Sequence, residues 1–143
     1  MLLTLVLLVS ACGGDPAPMQ SAIDGLALPS SWQIAKAVVR GGSSPCLDVA
    51  DAYCPSVTRY YTVDGDLPDL FNEARRALLE GGFGQPSELF PNCDAPSTNG
   101  GLCSISGSRG DLRIRVNLYP PGRNAGVPDV AVPGQATVRI TVY

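Results

Sequence analysis

Histidine is missing from this chain of 143 residues. The commonest general base near neutral pH is therefore absent, and so is the commonest nitrogen ligand for metals. A Ser-His-Asp or Cys-His catalytic group cannot be assembled from this sequence alone. Lysine is almost missing as well, since Lys36 stands beside nine arginines. A Ser–Lys dyad would need Lys36, yet no Ser-x-x-Lys spacing leads to it. No glycine-rich loop ends in Lys-Ser or Lys-Thr, which excludes a nucleotide cradle of that type. The net charge of −3 disfavours a general affinity for nucleic acid. There is no long hydrophobic run either: the stretch from Met1 to Val9 is apolar apart from Thr4, whereas a membrane-spanning helix needs about 20 residues.

What the chain does have is a core's worth of apolar residues, 45%, together with 16 glycines and 13 prolines. That combination predicts one folded domain with long ordered loops. The opening apolar run ends in Val9-Ser10-Ala11-Cys12, with no charged side chain before Asp15. This tetrapeptide resembles the lipobox of bacterial lipoproteins, an aliphatic residue and two small ones before an acylated cysteine. The resemblance implies that residues 1–11 are a signal peptide removed ahead of Cys12. It implies diacylglycerol on the Cys12 sulfur, with acyl chains such as palmitate serving as the membrane anchor. It places the mature chain in the bacterial cell envelope, on the exported side of the plasma membrane or in the outer membrane. Residues 12–25 then read as a lipidated, flexible tether and residues 26–143 as the domain.

Five cysteines leave four once Cys12 is lipidated: Cys46, Cys54, Cys93 and Cys103. Three pairings are open to them. The two short, Pro- or Gly-containing loops favour Cys46–Cys54 and Cys93–Cys103, each expected to stabilise by about 2–4 kcal/mol. A four-cysteine zinc site is disfavoured because CxxC pairs are absent and the compartment is oxidising.

Between the loops, periodicity picks out the elements. Trp32, Ile34, Lys36 and Val38 fall on one face of an extended chain, although Ser30-x-x-Gln33 could also cap a short helix. Trp32 reads as a core anchor. SVTRYYTV is β-branched and aromatic and predicts a strand. DGDLPDLFNEARRALLEGG predicts the main helix: Asp66 as N-cap, Pro68 in the first turn, an apolar stripe of Leu70, Ala74, Ala77 and Leu78, and glycines at the end. LCSIS, a GSRG turn and DLRIRVNLY predict a β-hairpin, and TVRITVY a last strand. The fold expected is α+β, a small antiparallel sheet of about four strands with one main helix on its apolar face, stapled by two disulfides.

On the polar side of that sheet, Arg113, Arg115 and Arg139 share a face with Tyr119, Tyr143, Asn117, Thr137 and Thr141. Arginine grips carboxylate or phosphate through two donors, and tyrosine adds flat contact area, so this is the candidate binding face. The competing reading is an ordinary solvated sheet face. Other motifs have plainer explanations. Asp64, Asp66 and Asp69 suit a helix start better than a calcium loop, which needs a longer ligand pattern. Asp48 and Asp51 form no recognisable catalytic pair, and Arg109-Gly110-Asp111 is good turn chemistry. The sequence thus calls for no cofactor, no metal and no catalytic residue. Its expected role is a non-catalytic binding or accessory lipoprotein, with the membrane as one partner and an envelope protein or anionic ligand as the other. The alternatives are a small envelope hydrolase with a histidine-free site, or a structural subunit of an envelope complex.

Overall fold

A computed structural model of the chain describes residues 13–43, 55–88, 103–122 and 129–143. In chain order the elements are β1 (Gly13–Gly14), α1 (Ala17–Asp24), β2 (Gln33–Arg40), β3 (Gly42–Ser43), β4 (Ser56–Val63), α2 (Leu67–Glu80), β5 (Gly84–Glu88), β6 (Cys103–Arg109), β7 (Leu112–Tyr119) and β8 (Ala136–Val142). Six strands form one sheet in the order β2-β4-β8-β7-β6-β5, every neighbouring pair antiparallel. β1 and β3 form a separate two-stranded ladder.

Period-two alternation builds the core. Val57, Tyr61 and Val63 of β4, Ile114, Val116 and Leu118 of β7, and Ala136, Val138, Ile140 and Val142 of β8 project to one side. Both helices cover that side. Leu70, Phe71, Ala74 and Leu78 form the buried stripe of α2, and Met19, Ala22 and Ile23 that of α1. Trp32 is buried with them, its ring centroid 5.9 Å from that of Tyr61 and its Nε1 donating to Glu73 Oε2 at 3.0 Å. The start of α2 follows its sequence signals, with the Asp66 carboxylate accepting from the Asp69 amide at 3.0 Å. At the other end Gly82 turns the chain at φ +79°, where a side chain would be strained.

The expected architecture is corrected in two respects: the main sheet has six strands rather than about four, and there are two helices rather than one. The second helix lies inside the stretch read as a tether. Met19, Ala22 and Ile23 have the i, i+3, i+4 spacing that buries one helical face, and Asp15 Oδ1 accepts from the Ala17 amide at 2.9 Å to hold the first turn. The folded unit therefore begins ahead of residue 26. The additional strands, β2's full length aside, come from β5, whose GQPSE has neither alternation nor β-branched residues. Nor are two disulfide staples seen. Buried Cys103 of β6 is disulfide-bonded, but its partner lies outside the described residues, as do Cys12, Cys46, Cys54 and Cys93. The lipobox and the signal stretch also lie outside them.

The two edges of the sheet differ. β5 is blunted by Pro86, by Gln85 at φ +47° and by a register shift between Gly84 and Ser87. β2 pairs only with β4, and Ile34 and Val39 on it are exposed, at 59% and 47%. A register shift between Ile34 and Lys36 breaks the single face expected for this strand. Ile34 lies opposite Tyr61 on the helix side, whereas Lys36 and Val38 lie opposite Tyr60 and Thr58 on the other side.

Candidate functional site

The strand register arranges the helix-free face in rows. Tyr119, Thr137, Thr62 and Gln33 lie across it nearest the start of β8. The next row is Ser104, Asn117, Arg139, Tyr60 and Lys36. Then come Ser87, Ser106, Arg115, Thr141, Thr58 and Val38. At the far end Arg113 pairs with Ser108 on β6 and exchanges backbone hydrogen bonds with Tyr143, and Arg40 lies opposite Ser56. Arg113, Arg115, Arg139, Tyr119 and Tyr143 thus occupy one face, but not one environment.

The first two rows are largely buried. Thr137, Ser104, Asn117, Thr62 and Tyr60 are all inaccessible or nearly so. Just ahead of β8, Asp129 accepts from Lys36 Nζ at 3.1 Å, and Val130 is buried apart from the helix-side core. The buried rows hold a polar network centred on Asn117. The Asn117 amide lies 2.7 Å from Ser104 Oγ; oriented to donate there, its carbonyl oxygen accepts from Arg139 Nη2 at 2.6 Å and Nε at 3.1 Å. The same guanidinium lies over the Tyr119 ring, 5.7 Å from its centroid. Burial pushes the Tyr119 phenol above its ordinary pKa, with Arg139 opposing the shift and Tyr60 adding to it. Arg139 and Tyr119 are therefore committed to the fold. Thr137 Oγ1 is buried without a hydrogen-bond partner among the described residues.

The last rows are wet. Arg113 and Arg115 are exposed, about 7 Å apart along β7, and neither makes an ion pair or a side-chain hydrogen bond among the described residues. Around them the register sets the hydroxyls of Ser106, Ser108, Ser87, Thr58 and Thr141, with Thr58 and Thr141 linked Oγ1 to Oγ1 at 3.1 Å, and Val38 ends the row on β2. Arg40, exposed on β2, adds a third guanidinium to this end. Such a surface can hold carboxylate, phosphate or sulfate groups by charge-assisted hydrogen bonds without prior loss of an internal partner.

The remaining candidates are used structurally. Arg109 of the RGD triplet donates from Nη1 to the Gly81 carbonyl at 2.6 Å and lies over the Phe83 ring at 4.8 Å. It closes the C-terminal end of α2, where cations suit the helix dipole. Gly110 at φ +57° supplies the hairpin turn. On the helix side Arg59 Nη2 meets Asp24 Oδ1 at 2.5 Å; although burial acts against the cation, the contacts with Asp24 and Tyr61 raise its pKa. Burial raises the Tyr61 pKa, and Arg59 opposes that shift. Among the described residues no three Cys, Asp or Glu side chains gather as a metal site. Asp48 and Asp51 lie outside those residues.

Sequence alternation found the arginine face. It missed the buried Asn117 network and the basic contribution of β2, since the register shift in β2 hides which of its residues join the face. Comparison of the chain with protein-family models, with curated proteins and with solved structures found no match, so the functional reading rests on this geometry.

Proposed function

We propose that the protein is a cell-envelope lipoprotein, anchored through Cys12, whose domain is a non-catalytic module that binds an anionic envelope component. One observation carries the reading: Arg113 and Arg115 stand exposed and unpaired on an open, hydroxyl-lined antiparallel face, among the described residues. An exposed arginine free of internal partners keeps its donors for an incoming acid group. An exposed strand face of arginines and hydroxyls suits a polymer or protein better than it suits a small substrate, which concave pockets enclose. The histidine-free composition and the opening Val9-Ser10-Ala11-Cys12 support the same reading from the sequence.

The test is photo-crosslinking in intact cells, with a reactive residue replacing Arg115 and, as control, the exposed Arg76 on α2. A partner captured at Arg115 and not at Arg76 supports the binding module. Equal capture at both positions, or none at either, overturns it and turns attention to a histidine-free hydrolase or a structural subunit.

A further inference from the structure

Arg40 and Arg113 belong to the end of the sheet at which the described chain begins. β1 begins at Gly13, the residue after Cys12, and its ladder with β3 pairs Gly13 with Ser43 and Gly14 with Gly42. Gly14 is clamped there: a Cβ on it would fall 2.6 Å from Pro55 Cγ. Gly42 follows Arg40 by two residues, and Pro55 precedes Ser56, the residue opposite Arg40. The register continues from β4 through Val57–Val142 to Ile114, and thence to the Arg113–Tyr143 pair. One edge-to-edge line therefore carries the chain's attachment point, Arg40, Tyr143 and Arg113.

We propose that this end of the sheet, with Arg40, Arg113 and Tyr143, rests on an anionic lipid surface, held there by the acyl chains on Cys12. The proposal rests on the reading of Cys12 as lipidated and adds the direction in which the domain stands. The covalent geometry leaves little slack, because one Cα–Cα step of about 3.8 Å separates Cys12 from a residue already fixed in a ladder. The charges agree with that direction. The anchor end has the carboxylates Asp15, Glu80 and Asp111, set against Arg40, Arg109, Arg113 and, one row in, Arg115. The opposite end, where β4 runs into α2, gathers Asp64, Asp66 and Asp69 without an ion-pair partner among the described residues. Basic residues near an anionic leaflet are drawn to it, and an acidic end is turned away. A tyrosine beside them suits the headgroup level, where amphipathic rings settle. Arg115, one row above the lipid, stays open to a partner that approaches along the membrane.

The experiment uses the full-length, natively processed chain in vesicles of phosphatidylcholine and phosphatidylglycerol with brominated acyl chains, which quench nearby tryptophan. Trp32 is buried in the core and gives a constant background. Tyr143→Trp reports on the proposed contact and Asp66→Trp on the opposite end. Quenching of the Tyr143→Trp emission, with Asp66→Trp unquenched, is the expected result. Quenching should weaken when Arg40→Gln and Arg113→Gln are added or when phosphatidylglycerol is omitted. An acylated chain quenched equally at both positions, or more at Asp66→Trp, overturns the orientation. An intact mass without acyl chains overturns the underlying lipoprotein reading instead.

Discussion

The two faces of the sheet are made by the same strands from alternating residues, yet they hold together by different means. Toward the helices, Ile114, Leu118, Val138 and Ile140 are fully buried among other apolar groups, so stability comes from area removed from water and from close packing. On the other face, the buried end contains Asn117, Ser104, Thr62 and Thr137, and polar groups there must satisfy one another. At the exposed end of that same face the hydroxyls pair, Thr58 with Thr141 and Ser87 with Ser106, but Arg113 and Arg115 have no internal side-chain partner among the described residues. Alternation assigns a residue to a side of the sheet, but it does not tell the dry end of that side from the wet one.

The largest effect that would test this contrast is expected from Ile114→Ala. Removing a completely buried side chain beneath α2 should cost about 2–5 kcal/mol in urea unfolding. Arg115→Gln, the next residue along and on the other face, should change stability by less than about 0.5 kcal/mol while weakening capture by a photo-reactive residue placed opposite it at Ser106. Comparable losses for the two variants would break the distinction between the faces.

Next in size is Asn117→Ala, which deprives Ser104 and Arg139 of their shared partner and should cost about 1–3 kcal/mol, read as a lower urea midpoint. A neutral result would mean that the dry end of the polar face is no more demanding than the wet end. Thr137→Val should move stability the other way. It removes a buried hydroxyl that has no partner and keeps the branched shape, so a gain of about 1 kcal/mol is expected in thermal unfolding.

The smallest effect concerns the ion pair of Lys36 with Asp129. The hydrogen bond from Lys36 holds the Asp129 carboxyl below its ordinary value of 3.8. A carboxylate whose pKa is depressed by folding stabilises the fold above the unfolded value, and this contribution is lost as pH falls through the lower, folded value. Carboxyl chemical shifts should therefore show Asp129 titrating below 3.8, with Lys36→Gln returning it upward. Stability should decline slightly under acid conditions in the parent and not in that variant. Asp129 is exposed, so the change should be small.

How much of this was legible depended on whether a signal was local. α2 announced itself through Asp66, Pro68 and an apolar stripe, and the β6–β7 hairpin through Gly110 and strict alternation; both depend on neighbours in sequence. Helix α1 had its spacing of Met19, Ala22 and Ile23, but prolines and the expected lipid attachment made the segment read as tether. β5 had no pattern of its own and is a strand because β6 offers it an edge. The common face of Arg113, Arg115, Arg139, Tyr119 and Tyr143 could be read from parity. The sorting of those five into exposed and committed residues could not, because Asp129 reaches Lys36 across 93 positions of chain.

The β2 edge has a consequence for neighbours on a surface. Its exposed Ile34 and Val39 invite a second copy to pair with it, and its register shift and Lys36 discourage that pairing less than Pro86 and the register shift do in β5. Antiparallel pairing of β2 with β2 would turn one molecule head over heels relative to the other. On the proposed reading, copies rooted in a single leaflet through Cys12 would all stand the same way up, and that handshake would be closed to them. Confinement to two dimensions would then add its own protection to the β2 edge, and leave it free for an extended segment that arrives in the opposite sense from another molecule.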